Sequence, residues 1–280
     1  MINLEKLREK KSLKELLEFG IINLDKPINY TSFQTGEIVG KMLGLRKFSH
    51  AGTLDPGVSG VLPILLNRAC KLLGWFMKKN KTYIGIMKIH KEIDEAKLKD
   101  EMQKFVGKIK QLPPVKSRVK RQIREREVYS WKILEIDKEK KEVLFEAEVE
   151  AGTYIRKLIS DLGEKIKGAH MIELRRTKAG IFDEKNSINL YELEKIKDDE
   201  EKLKEIIIPG EIIGEILNKI EVKEEAVKNL LTGKPLFKED IQHGELKEGS
   251  NAVFSDNKFI GIYKKAEEKN IIARAEFVFN

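Results

Sequence analysis

The chain has 280 residues, enough for one large and one small domain whose core needs no disulfide or metal to hold it. Charged residues make up 36%, rich in Lys and Glu as in heat-adapted proteins, and the net charge of +8 suits a polyanionic partner such as RNA or DNA, although a basic protein without one has the same composition. The single cysteine, Cys70, excludes an intramolecular disulfide and any CxxC zinc spacing, and no apolar run approaches the roughly 18 residues of a membrane span, so the expectation is a reducing, cytoplasmic setting with no membrane and no metal.

The first segment, residues 1–19, is charged throughout, which rules out a secretory signal. It reads as one amphipathic helix, with Leu4, Leu7, Leu13, Leu16 and Leu17 near one stripe. "GIINLDKP" is a buried strand stopped by Pro27. "TSFQTGEIVGKMLG" is a helix, with Thr31 and Gln34 as a capping box and Gly44 as its stop. A glycine-rich loop, "SHAGTLDPGVSGVLP", leads into the apolar run "VLPILL" and a helix-like "ACKLLGWFM". "KTYIGIMKIH" is a strand by its β-branched content, and "IDEAKLKDEMQKFVGK" a helix with Leu98, Met102, Phe105 and Val106 on one side. "VYSWKILEIDKEKKEVLFEAEVE" is a hairpin, whose second arm sets Val143, Phe145, Ala147 and Val149 against Glu146, Glu148 and Glu150. "TYIRKLISDLGEKI" is a helix, "MIELRRT" a strand, and residues 188–208 mostly helical. Beyond Pro209-Gly210 come a short helix ending at Gly233, a hairpin turning at Ser-Asp-Asn and a closing strand. The order of elements predicts an α+β fold, a mixed or antiparallel sheet with flanking helices, followed by a compact β-rich domain.

Familiar nucleotide, serine-hydrolase and zinc-protease signatures are absent: there is no GxGxxG, P-loop, GxSxG or HExxH. Three residues remain as candidates for chemistry: Asp55 in its glycine-rich loop, Tyr83 in "KTYIG" and Arg156 in "AGTYIR". An aspartate is ionised at neutral pH without a general base, an arginine can bind both its oxygens, and a tyrosine ring offers a face for a nucleobase. Each has an ordinary alternative: Leu-Asp-Pro as a turn, Tyr83 as a core aromatic, Arg156 as a surface ion pair. A second cluster, Lys108, Lys110, Lys116, Arg118, Lys120, Arg121, Arg124 and Arg126, surrounds "QLPPVKS", whose prolines forbid a continuous helix. It reads either as a loop for backbone phosphates or as a solvated charge run.

In order, "GIINLDKP", "TS", "HAGTLDPGVSGVLP", "KTYIGIMKIH", "QLPPVKS", "EAGTYIRKLISDLG" and "HMIELRRTKAGIF" resemble the TruB-type pseudouridine synthases. "MKIH", "PPVKS" and "GAHMIELRRT" are spelled as in the dyskerin-like branch, the catalytic subunits of H/ACA ribonucleoproteins. The match spans about residues 18 to 185, and the tail from about 218 resembles a PUA domain, a small RNA-binding β-barrel. The resemblance implies an N-terminal extension (1–19) packing on the C-terminal domain, a catalytic domain (20–211) and a PUA domain (212–280). It implies isomerisation of uridine to pseudouridine in RNA with no metal, nucleotide or redox cofactor. The expected partners are a guide RNA, ribosomal or transfer RNA substrate, and small H/ACA accessory proteins. A stand-alone synthase acting on the T-loop of transfer RNA is the alternative, and a non-catalytic RNA-binding scaffold a third.

Position by position, Asp55 matches the family's catalytic aspartate, Tyr83 the tyrosine that stacks on the target base, and Arg156 the arginine that pairs with the aspartate. Leu174 matches an apolar residue packed on the base, while Lys26 and His50 match positions near the pocket. Lys116, Arg118, Lys120 and Arg121 fall in the family's thumb loop, which the resemblance assigns to RNA backbone. The chain departs from the usual Pro-x-Gly-x-Thr-Ser in "PINYTS", where Asn29 stands at the glycine position. Asparagine is the next best residue for a positive φ, so the turn is expected to survive.

Overall fold

The computed structural model describes residues 4–113, 120–268 and 270–280. In chain order its helices are α1 (Leu4–Glu9), α2 (Leu13–Glu18), α3 (Ser32–Met42), α4 (Leu73–Met77), α5 (Glu95–Gln103), α6 (Ile155–Ile166), α7 (Leu190–Ile196), α8 (Glu200–Ile206) and α9 (Glu224–Leu231). The strands are β1 (Gly20–Lys26), β2 (Phe48–His50), β3 (Ser59–Leu66), β4 (Lys81–Ile89), β5 (Gly107–Gln111), β6 (Arg124–Asp137), β7 (Glu142–Val149), β8 (Ala169–Ala179), β9 (Phe182–Asp183), β10 (Ile188–Asn189), β11 (Ile207–Pro209), β12 (Asn218–Val222), β13 (Leu236–Phe237), β14 (Ile241–His243), β15 (Ser250–Ser255), β16 (Lys258–Glu268) and β17 (Ile271–Val278). The fold is α+β, in two compact units: Ile21–Ile206, and the N-terminal residues to Gly20 together with Ile207–Asn280. No helix among the described residues is long and apolar enough to cross a membrane.

The larger unit is built on one mixed sheet of order β10-β1-β3-β8-β4-β7-β6-β5, with β2 beside β3 and β9 beside β8. The alternation read in residues 143–149 is real: Val143, Phe145, Ala147 and Val149 are all buried, and Phe145 meets Trp131 edge-on. The same face continues across the sheet, because Tyr83 pairs with Ala147 on one side and Arg176 on the other, and Gly85 with Phe145 and Leu174. Helix α6 buries Ile155, Leu158, Ile159, Leu162 and Ile166, the one-sided stripe of an amphipathic helix. Residues 69–77 differ from the single helix expected there: a 3-10 turn over Asn67–Leu72 precedes the five residues of α4.

At Gly60 two strands come together more closely than a side chain allows. Gly60 has φ +105°, and a Cβ there would lie 2.2 Å from the Arg176 carbonyl oxygen. The parallel pairing of β3 with β8 runs through Ser59↔Arg175 and Gly60↔Arg176. Gly60→Ala should therefore cost about 3 kcal/mol, through both the left-handed φ and the backbone clash. A fall in the denaturant midpoint of under a tenth would contradict this.

The smaller unit carries the second sheet, of order β13-β17-β16-β15-β12-β14, with α9 over a core that includes Ile220, Val222, Leu230, Val253, Ile260 and Tyr263. The β15–β16 turn falls at Asp256 and Asn257, with φ of 46° and 62°, a conformation that Asn and Asp tolerate best. The single helix expected over residues 1–19 is instead two. Ser12 caps a fresh start, its side chain accepting from Glu15 N–H while the Glu15 carboxylate accepts from Ser12 N–H. This Ser-x-x-Glu capping box was present in the sequence, and it stops the first helix as it starts the second. The turn it creates turns Lys11 toward the buried Glu211, a pair at 2.6 Å. It also delivers Phe19, fully buried, onto the rings of Phe259 and Phe279 at 5.6 and 4.1 Å.

Candidate active site

Asp55 sits on the loop between β2 and β3, and that loop is fastened at nearly every residue. Ala51 N–H donates to the Pro63 carbonyl at 2.9 Å, and Val58 N–H to the Asp55 carbonyl at 3.0 Å. The hydroxyl of Ser32, in the first turn of α3, accepts from Leu54 N–H at 2.8 Å and donates to the Leu54 carbonyl at 3.0 Å. Asn29 N–H reaches the Pro56 carbonyl at 2.8 Å. Asn29 itself has φ 69°, so the turn keeps the geometry that a glycine would give it. Backbone anchoring on both sides leaves the Asp55 side chain as the part that projects, a little over half exposed.

Arg156 meets it there. Its Nη2 lies 2.5 Å from Asp55 Oδ2, across a sequence separation of 101 residues. Arg156 is the second residue of α6, and the helix start is held by Gln111: Tyr154 N–H donates to Gln111 Oε1 at 3.0 Å, and Gln111 Nε2 donates to the Tyr154 carbonyl at 3.2 Å. Tyr83 on β4 and Leu174 on β8 are buried on one sheet face, where Gly85 leaves room: a Cβ on Gly85 would stand 2.8 Å from Leu174 Cδ1.

Beneath the loop lies an array of cations. Lys26 is fully buried, and its ammonium donates to the carbonyls of Pro27 and Tyr30 at 2.7 Å each. Lys81 donates to those of Met77 and Lys79 at 2.7 and 2.6 Å. Arg176 donates to Val61 and Gly52 carbonyls at 2.7 and 2.9 Å. Burial lowers both lysines to about 8, helped by the Arg176 charge, while Asp55 opposes the shift at Lys26. Burial likewise lowers Arg176, with the Tyr83 oxygen working the other way. His50, at the end of β2, is held below its ordinary value by burial first and by Arg176 second.

The residues singled out in the sequence thus fall into three sets. Asp55 and Arg156 are in contact, with Tyr83, Leu174 and His50 on the neighbouring strands. Lys26 is shut away from solvent, and its ammonium gathers carbonyls of two loops, the Pro27–Tyr30 turn and the Asp55 loop at Pro56. Lys120 and Arg121 are exposed just before β6, whereas Lys116 and Arg118 lie outside the described residues. Ser32, Lys81, Gln111 and Arg176 were missed. Arg176 had a signal, since on a strand it shares the face of Leu174 two residues before it; Ser32, Lys81 and Gln111 lie within "TS", "KTYIGIMKIH" and "QLPPVKS", where residue type alone assigns them no role. Among the described residues no group of three or more His, Cys, Asp or Glu is placed to hold a metal ion. A cavity of about 490 Å³ lies elsewhere, lined by Phe105, Ile109, Leu112 and Ile123 among others, and contains none of the residues above.

The site thus joins a half-exposed carboxylate to a guanidinium, in a unit whose sheet carries Tyr83 and Leu174 buried on one face. Comparison with known proteins supplies the family. Residues 40–155 match the family model of the TruB family pseudouridylate synthase N-terminal domain, and residues 156–213 that of the tRNA pseudouridylate synthase B C-terminal domain. The probable tRNA pseudouridine synthase B of Methanopyrus kandleri is 40% identical over 252 residues, covering 85% of this chain and 74% of the relative. That of Methanothermobacter thermautotrophicus is 40% identical over 232 residues, covering 80% and 71%. Among solved structures, a chain of a Cbf5-Nop10-Gar1 complex superposes with a TM-score of 0.88 at 37% identity, covering 98% of this chain and 88% of its own. A chain of an H/ACA RNP bound to a substrate RNA containing 2'-deoxyuridine gives 0.87 at 35%, covering 98% and 89%.

Proposed function

The chain belongs to the TruB family and is a pseudouridine synthase, and on that premise we propose that it is the catalytic subunit of a guide-RNA-directed H/ACA ribonucleoprotein. The observation that carries the proposal is the extent of the likeness: 98% of the chain, PUA-like C-terminal sheet included, is shared with chains of the Cbf5-Nop10-Gar1 and H/ACA complexes. Its partners in this reading are a guide RNA, the RNA substrate and small accessory proteins.

The reaction exchanges the C1′–N1 bond of a uridine for a C1′–C5 bond. A uridine inside folded RNA is out of reach of a carboxylate on a loop, so it must leave its stack, at a cost of a few kcal/mol. Stacking on Tyr83, with Leu174 on the same face, returns about 1–3 kcal/mol. Asp55 then faces the sugar, and Arg156 fixes which way its oxygens point. Lys120 and Arg121 hold flanking phosphates, which position the strand without reading its sequence.

The relatives' name, tRNA pseudouridine synthase B, favours a second reading, in which the chain modifies transfer RNA unaided. Tritium release from RNA labelled at uracil C5 separates the two. The proposal expects release from a guide-complementary RNA only when guide and accessory proteins are added. Equal release from a transfer RNA transcript by the protein alone would replace it with the second reading.

A further inference from the structure

Arg175 and Arg176 are adjacent on β8 and live in opposite surroundings. Arg175 is half-buried and well supplied with acid: it grips both oxygens of Asp25 at 2.9 Å and reaches Glu184 at 2.8 Å. Arg176 is 1% exposed, and its partners are the Val61 and Gly52 carbonyls and the Tyr83 oxygen, none of them a carboxylate. Lys81, 5% exposed, and Lys26, fully buried, are held in the same way. Among the described residues none of the three makes an ion pair with a carboxylate. Buried cations without a counter-charge are costly, and apolar residues of the same size are usually as good or better for stability. A fold that gathers three of them needs another reason for them.

The place they occupy supplies one. Arg176 fastens the Gly52 carbonyl to β3 and pairs in register with Tyr83, while Lys26 gathers the Pro27–Tyr30 turn and lies 3.4 Å from the Pro56 carbonyl, next to Asp55. The Arg176 charge acts on the Tyr83 oxygen and the Lys26 charge on Asp55, while Lys81 stands beside Arg176 against Gly52 of the Asp55 loop. Resting on that reading of Asp55 and Tyr83, we infer that Arg176, Lys81 and Lys26 form a fixed cationic floor beneath the target uridine, which stabilises the negative charge the base carries while detached from its ribose.

The charge balance defines when the floor matters. As C1′–N1 breaks, the electron pair stays with N1 and spreads onto O2 and O4, and C1′ is left electron-poor beside the Asp55 carboxylate. Joining C5 to C1′ takes that charge back; C5 then gives up its proton and N1 gains one, leaving a neutral base. Preorganised positive charge in a site shielded from water lowers the barrier without having to reorganise during the reaction. The three are positioning residues, since they act through the field and through loop carbonyls.

The test is Lys81→Met in the full chain, with the guide and accessory proteins that wild-type activity requires. Rate, RNA affinity and melting temperature are read together. The expected result at pH 7 is a single-turnover tritium release about 10-fold slower or more, with RNA affinity within twofold and Tm unchanged or higher. The titratable and charged groups around the three are Asp55 beside Lys26, Tyr83 and His50 beside Arg176, and Arg176 beside both Lys26 and Lys81. Of these, Lys26 and Lys81 lose their protons as pH rises through about 8. The wild-type rate should therefore decline above pH 8, and the variant, one titrating lysine short, should decline less. The Tm gain has the matching sign: a lysine lowered from 10.5 to about 8 penalises the folded state below pH 8, and the penalty fades as pH rises toward 10.5, so the gain from Met is largest at low pH. As a second variant, Arg176→Lys keeps the charge and should lose less rate than Arg176→Met. An unchanged Lys81→Met rate overturns the floor, as does a rate loss that merely follows a fall of several degrees in Tm. Asp55→Asn is run beside them: release that survives it means that the site reading has failed, and release that vanishes in it while Lys81→Met is normal means that only the floor has.

Discussion

Asp55→Asn is expected to lower single-turnover pseudouridine formation by about 10⁴-fold or more, with RNA affinity nearly unchanged. The substitution keeps the shape and volume of the side chain and removes its charge. Whether the carboxylate bonds to C1′, supports a developing positive charge there or takes a sugar proton, each route needs the anion, and a neutral amide supplies none of them. It also weakens the contact with Arg156, now 2.5 Å from Asp55 Oδ2, from a charge-assisted bond to an ordinary one. RNA affinity is expected to hold because phosphate contacts to basic side chains supply most of it. The loop should also keep its shape, since its anchors are the Ser32 hydroxyl, the Pro63 carbonyl and Asn29 N–H, none of which involves the Asp55 carboxylate. C5 tritium release on saturating protein, with filter binding on the same samples, checks both halves. Loss of binding in step with activity would return Asp55 to a structural role.

The second large effect is on stability. Phe19→Ala is expected to cost the smaller unit about 3–5 kcal/mol. Phe19 is fully buried, and its ring stacks at 4.1 Å on Phe279, 5.6 Å on Phe259 and 6.1 Å on Phe277. Gly210 is packed so closely against this ring that a Cβ there would stand 2.6 Å from Phe19 Cε1. Removing the ring opens a cavity bounded by strands that pair with one another, and β16 and β17 cannot close it without breaking their register. Phe19→Leu, which refills most of the volume, should lose about 1–2 kcal/mol. Thermal unfolding followed by proteolysis of the N-terminal segment would read the effect. Equal melting curves for Phe19→Ala and the wild type would remove this ring as the anchor of that segment.

What was legible in the sequence was local chemistry. The Thr31–Gln34 capping box, the strand at 81–89, the alternation in 143–149 and the turn at Asp256-Asn257 each follow from residues within a few positions of one another. Asn29 belongs with them, because a positive φ is a property of one residue and its turn. The misreading of residues 1–19 was local as well: a hydrophobic stripe continues through Lys10-Lys11-Ser12, but the capping box that starts at Ser12 outweighs it.

The sequence by itself determined the α+β order of elements, the loop that presents Asp55 and, by resemblance, the family. The tertiary structure alone decided what surrounds that acid. Arg156 reaches Asp55 from 101 residues away because α6 starts where Gln111 holds it, and Gln111 stands on another strand. No residue type in a chain this rich in charge announces that Lys26 and Arg176 are buried. Only the crossing of β1, β3 and β8, made possible by a glycine at position 60, buries them beside the loop. Backbone conformation is set by neighbours in sequence, whereas burial, field and contact between distant side chains come from strand order, which no local pattern encodes.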